Sequence, residues 1–118
     1  MRKIIVCGGR KYRNKDLVYR ILYGFAPDVI VHGDCDTGAD RLAQWWAEEL
    51  GRRVIAYPSD AATLGKGADA ARNWEMAKDN PDAFACIAFP GGDNVDSMTQ
   101  EARDAGIPVL QVLEPTNE

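Results

Sequence analysis

Histidine is nearly missing from this chain: His32 is the only one in 118 residues. A His-based metal site or a Ser-His-Asp triad would have to be built around that one ring. Cysteine is scarce as well. Cys7, Cys35 and Cys86 form no CxxC pair, and an odd count argues against a disulfide framework. Cys7 and Cys86 sit inside apolar runs, where a thiol behaves as a small hydrophobe, and reduced thiols fit a reducing cytoplasm. No stretch approaches the ~20 apolar residues of a membrane span. Met1-Arg2-Lys3 precedes an apolar run too short for a signal peptide. The expectation is a soluble, cytoplasmic protein with no membrane partner.

Positive charge is not in excess either. The formal net charge is −4, which disfavours a nucleic-acid backbone as partner, because such proteins neutralise phosphates with Lys and Arg. Gly8-Gly9-Arg10-Lys11 departs from GxGxxG, and neither GxxxxGK[ST] nor HExxH occurs. No cofactor is expected. Asp34, Asp36 and Asp40 suggest a Ca²⁺ or Mg²⁺ loop, but Ala39 and Trp45 stand where an EF-hand needs Gly and Glu. No metal is expected.

What is present is average globular material, 46% hydrophobic and 27% charged. A chain of this length buries roughly two-thirds of its unfolded surface as one domain, here taken as residues 1–118. Five short apolar runs recur: the β-branched Ile4–Cys7 and Asp28–His32, then Arg53–Tyr57, Phe84–Phe89 and Pro108–Val112. They are continuous rather than alternating, as strands covered on both faces are. Between them run helical stripes: Val18/Ile21/Leu22/Phe25, Ala39/Leu42/Ala43/Trp46/Ala47/Leu50 ending at Gly51, Ala70/Ala71/Trp74/Ala77, and Val95/Met98/Thr99/Ala102/Ala105 before Gly106. The order βαβαβαβαβ predicts a three-layer α/β sandwich of about five parallel strands with helices on both faces. Only the tail Pro115-Thr116-Asn117-Glu118 looks loose.

In such sheets ligands bind beyond the carboxyl ends of the strands. Three glycine-bearing loops fall there: Gly8-Gly9-Arg10, His32-Gly33 through Gly38-Ala39-Asp40, and Pro90-Gly91-Gly92. Glycine lets backbone N–H groups approach an anion, and the following helix adds free N–H groups and a partial positive charge. Together these loops predict a phosphate cradle. His32 reads as a hydrogen-bonding residue orienting a loop or ligand, or as a structural one. Asp40 has an alternative role, since Thr37-x-x-Asp40 has the form of a capping box. Arg72 and Asn73 open the third helix. The Arg fork suits a phosphate or carboxylate, and its alternative is a solvated face beside Glu75 and Asp79. Trp45 and Trp46 cannot both lie centrally on one buried stripe. An exposed Trp45 marks either a homodimer interface or partial burial in the monomer.

Taken together, certain words resemble the YspA/YpsA-related branch of the SLOG superfamily, which also groups the DprA/Smf proteins and the lonely-guy phosphoribohydrolases. They are Val6-Cys7-Gly8-Gly9-Arg10, His32-Gly33, Gly38-Ala39-Asp40-Arg41-Leu42-Ala43, Arg72-Asn73, Ala88-Phe89-Pro90-Gly91-Gly92 and Gly106-Ile107-Pro108-Val109. The resemblance implies a Rossmann-like sheet and recognition of nucleotides or nucleotide-derived signals. It also supplies a departure. In the phosphoribohydrolase word PGGxGTxxE the Gly-Thr pair falls on Asn94-Val95 and the catalytic Glu on Met98, which has no proton to transfer. Met98 lies on an apolar stripe and is expected in the core, while Asp93 or Asn94 is expected to cap the fourth helix.

The primary expectation is a binding module for a nucleotide-derived phosphate ligand, without hydrolysis and with no catalytic residue. An N-glycosidase using a relocated acid, Asp36, Asp40 or Glu75, is the alternative. Single-stranded DNA binding through Arg10, Lys11, Arg13 and Lys15, with Tyr12 stacking on a base, is the second.

Overall fold

The computed structural model describes residues 1–60 and 65–113; the tail from Pro115 lies outside them. The apolar runs fold as β1 (Lys3–Cys7), β2 (Val29–His32), β3 (Arg53–Ala56), β4 (Ala85–Ala88) and β5 (Val109–Gln111). They form one parallel sheet in the order β3-β2-β1-β4-β5. Four helices connect them: α1 (Lys15–Phe25), α2 (Ala39–Leu50), α3 (Ala68–Asp79) and α4 (Asp93–Asp104). This is the α/β, Rossmann-like layout expected. No helix among the described residues is long and apolar enough to cross a membrane.

The chain steps outward from β1 to β3, then crosses to the other side of β1 for β4 and β5. That reversal puts α1 and α2 on one face and α3 and α4 on the other. Side chains along a strand alternate between the faces. Ile4, Val6, Ile30 and Ile87 therefore pack with Val18, Leu22 and Trp46, while Ile5, Val31, Cys86 and Ala88 pack with Met76, Met98 and Ala102. The central strands β1, β2 and β4 read as continuous apolar runs because both faces are covered. At the edges, β3 and β5 are only partly buried, so their apolar runs overstated their coverage.

Local signals set the helix ends. The Asn14 side chain accepts a hydrogen bond from the Leu17 N–H, capping α1. Gly51 ends α2 in the left-handed conformation, where glycine carries no steric penalty. The buried face of α3 is not the stripe expected from hydropathy. Ala68, Arg72, Asn73, Met76 and Ala77 face inward, and Trp74 is 54% exposed. Two polar side chains have displaced an aromatic one because the fold offers them acceptors. Met98, by contrast, lies in the core as expected, 1% exposed between β-sheet and α3.

Because Met98 fills space and does no chemistry, Met98→Leu should lower unfolding free energy by less than about 1.5 kcal/mol and Met98→Ala by roughly 2–5 kcal/mol. Urea denaturation measures both.

Candidate functional site

The carboxyl ends of β1, β2 and β4 bring the glycine loops to one edge of the sheet, and there the loops touch each other. The Gly9 N–H donates to the Pro90 carbonyl at 2.9 Å. A Cβ on Gly91 would lie 2.6 Å from Gly9 N, and one on Gly8 would lie 2.5 Å from the Ala39 Cβ. Gly38 has φ +83°, and a Cβ there would run into Gly9 O and Arg10 Cα. These glycines exist at least partly so that backbones can meet. Gly92, the residue preceding α4, has open space around it.

Gly33 serves a side chain instead. A Cβ there would sit 2.5 Å from Arg72 Nη1, so the guanidinium lies against the bare backbone. Arg72 is 4% exposed. Its Nη1 donates to Gly33 O at 2.6 Å, its Nε to Asn73 Oδ1 at 2.8 Å and its Nη2 to Asn94 Oδ1 at 3.2 Å. Asn73 Nδ2 also donates to Asn94 Oδ1, at 2.8 Å. Asn94 is thus the common acceptor that ties α3 to α4, rather than a cap, and α4 has no side-chain cap at all. The solvated-face alternative for Arg72 does not hold: burial is possible because three neutral oxygens and one carboxylate receive the charge. That carboxylate is Asp69, one helical turn earlier, with Oδ1 3.5 Å from Arg72 Nη2. Its other oxygen lies 3.9 Å from Arg10 Nη2, and the Arg10 side chain is 67% exposed.

Arg10, Gly33, Asp69 and Arg72 line a cleft of about 570 Å³, with Asp34, Cys35, Asp36 and Thr37 along one wall and Pro58, Ser59, Gly65 and Ala68 along the other. Behind it stand the polar residues that shape its loop. His32 Nδ1 accepts from the Asp34 N–H at 2.9 Å, so its Nε2–H donates to Gln44 Oε1 at 2.6 Å. Asp40 is buried and accepts from the N–H groups of Gly33 and Cys35 at 3.2 and 3.4 Å. It makes no capping box, for Gly38 is the cap residue and Thr37 Oγ1 donates to Arg10 O at 2.8 Å. Burial pushes the Asp40 carboxyl above its ordinary value, opposed by His32, Cys35 and Arg72. Burial and the neighbouring Asp40 push the Cys35 thiol up to about 11, so it is not a thiolate nucleophile at neutral pH.

Of the residues expected at the site, Arg10, Gly33 and Arg72 border the cleft. His32, Asp40 and Asn73 support it from behind. Gly8, Gly9 and Gly38 pack the loops together, and Pro90 and Gly91 border a separate depression with Val95, Asp96 and Val112. Among the alternative acids, Asp36 faces the cleft, Asp40 points into the backbone, and Glu75 is exposed on α3 away from the cleft wall. Tyr12 is half-buried with its ring 5.4 Å from that of Phe89, which leaves it little freedom to stack on a base. Sequence reasoning missed Asp69 and gave Asn94 the wrong role, a helix cap rather than an acceptor for Arg72 and Asn73. The i, i+3 spacing of Asp69 and Arg72 was a usable signal; the long-range contact of Asn94 had none.

The model of the YspA, cpYpsA-related SLOG family matches residues 2–64. The matched segment contains β1 through β3, hence Gly8–Arg10 and His32–Asp40, and stops before Arg72. No curated protein and no solved structure gives a match.

Two outcomes follow from this geometry. Gly33→Ala must push against a guanidinium held on several sides and should cost roughly 1–3 kcal/mol, whereas Gly24→Ala, at an exposed position inside α1 with open space around it, should leave stability unchanged or raise it by up to about 1 kcal/mol; thermal melts of the pair decide. The second concerns pH. With the folded Asp40 carboxyl above its ordinary 3.8, the folded chain holds that proton more tightly than the unfolded one. The Asp40 contribution to stability therefore falls as pH rises from 3.8 through the folded value, then levels off. Asp40→Asn keeps an oxygen acceptor and lacks that decline, so urea titrations over about pH 3 to 7 should show the two curves diverging.

Proposed function

The chain belongs to the YspA, cpYpsA-related SLOG family, and on that footing we propose that it binds a nucleotide-derived phosphate ligand in the cleft beyond β1, β2 and β3, without hydrolysing it. The observation that carries this reading is the convergence of Arg10 and Arg72 on one carboxylate, Asp69, at the cleft wall. Two guanidiniums from distant parts of the chain, one buried and one exposed, meet where a single anionic group can reach both. Arg forks are matched to phosphate oxygens as well as to carboxylates. Asp69 acts as an internal stand-in anion, and an arriving phosphate takes over part of its role.

Absence of hydrolysis rests on what surrounds the cleft. Met98 is packed in the core where the phosphoribohydrolase word has its Glu. Asp34 is engaged by Arg41 at 3.2 Å, and Asp69 by the two arginines. Asp36 is exposed to solvent at the cleft rim.

AMP should raise the melting temperature of the wild type in a concentration-dependent way. Arg10→Ala, on the exposed arginine, should weaken binding by about 10- to 100-fold, the worth of a charge-assisted hydrogen bond. Asp69→Asn removes the competing charge and should tighten binding by about fivefold. Free adenine should not accumulate during prolonged incubation. A flat response across a panel of nucleoside phosphates overturns the proposal, and release of base overturns its non-hydrolytic part.

A further inference from the structure

The arginine cleft has a neighbour. On the far side of the Asp36–Thr37 ridge lies a groove of about 290 Å³ whose lining includes Tyr12, Arg13, Lys15, Leu42 and Trp45, and both Asp36 and Thr37 line the two depressions together. Thr37 is fixed by its hydrogen bond to Arg10 O, so the ridge is held at the same loop that carries the cleft arginine. Trp45 is 47% exposed, although it stands beside the fully packed Trp46. An indole left half in water on a helix whose other face is core presents a flat apolar surface. Here that surface borders a groove whose rim also carries cationic side chains.

Resting on the nucleotide reading above, we infer that this groove is the nucleobase subsite of the same ligand: the base stacks on Trp45, the sugar crosses the ridge, and the phosphate lies in the arginine cleft. Three features fix the order of the parts. The cleft supplies the converging guanidiniums and so takes the anion. The groove supplies the indole and so takes the aromatic ring, since stacking on an aromatic face is available to every base. Asp36, exposed on the ridge, is an acceptor only; it would repel a phosphate and receives sugar hydroxyls instead. Arg13 at the groove is a donor only, complementary to the ring nitrogens and carbonyls of a base edge, while the Lys15 ammonium lies over the Tyr19 ring.

The test compares AMP with ribose 5-phosphate on wild-type, Trp45→Ala and Trp45→Phe proteins by calorimetric titration. Trp45→Ala should weaken AMP by about tenfold or more and bring it close to ribose 5-phosphate, whose affinity stays unchanged. Trp45→Phe should retain most of the AMP affinity. Sedimentation of the wild type and Trp45→Ala at the same concentrations shows whether a second copy covers the indole. AMP affinity unmoved in Trp45→Ala overturns the subsite while leaving the cleft reading standing, and so does a wild-type dimer that the substitution dissolves without selective loss of AMP. Binding of neither probe to the wild type overturns both.

Discussion

Burying a guanidinium is costly unless its hydrogens find acceptors, and the loop-bearing edge of the sheet is organised around meeting that demand for Arg72. Its acceptors come from three places in the chain: the carbonyl of Gly33 after β2, the neighbouring Asn73 on α3, and Asn94 on α4. Each must be in place for the others to be useful. Gly33 lacks a side chain so that the planar group can lie against it. Asn94 faces α3 so that one oxygen can receive both Arg72 and Asn73. The geometry of the loop between β2 and α2, and with it one wall of the cleft, follows from that single buried cation.

The same loop is held from its other side by two more buried polar groups. Asp40 accepts from the backbone at Gly33 and Cys35, and His32 accepts from Asp34 and donates to Gln44. Asp34 itself sits at φ +57°, a conformation in which Asp is tolerated better than most residues. A loop with this many internal bonds keeps its shape with or without a ligand. On the cleft wall Arg10 and Asp36 are exposed and Asp69 is half-exposed, so these charged side chains have room to rearrange around an incoming group.

Most of the fold was legible because it rests on periodicity. Five apolar runs and three of the four helical stripes carried their own evidence, down to the glycine that closes α2 and the packing of Met98. The exception, α3, shows where that reasoning stops. Hydropathy put Trp74 inside and left Arg72 open, because pattern counting cannot see that Gly33 and Asn94, far off in sequence, will offer oxygens to a buried cation. The site was legible in the same uneven way. That the glycine loops would gather on one edge follows from strand order, which alternation of elements implies. That the loops would contact each other directly, and that the cleft would open between β2, β3 and α3 with Pro90 and Gly91 on a different depression, depends on distances no spacing rule supplies.

The interlocking of Gly9, Gly38 and Gly91 has a consequence for anyone comparing this chain with others. The main chain of neighbouring loops leaves no room for a side chain at Gly38 and Gly91 and little at Gly9, so the trio serves assembly whether or not a small molecule ever visits. A related chain that keeps those glycines advertises the architecture alone. Differences in chemical taste between such chains are to be sought in the sparsely constrained residues beside them, where a change of side chain alters what is recognised and leaves the scaffold intact.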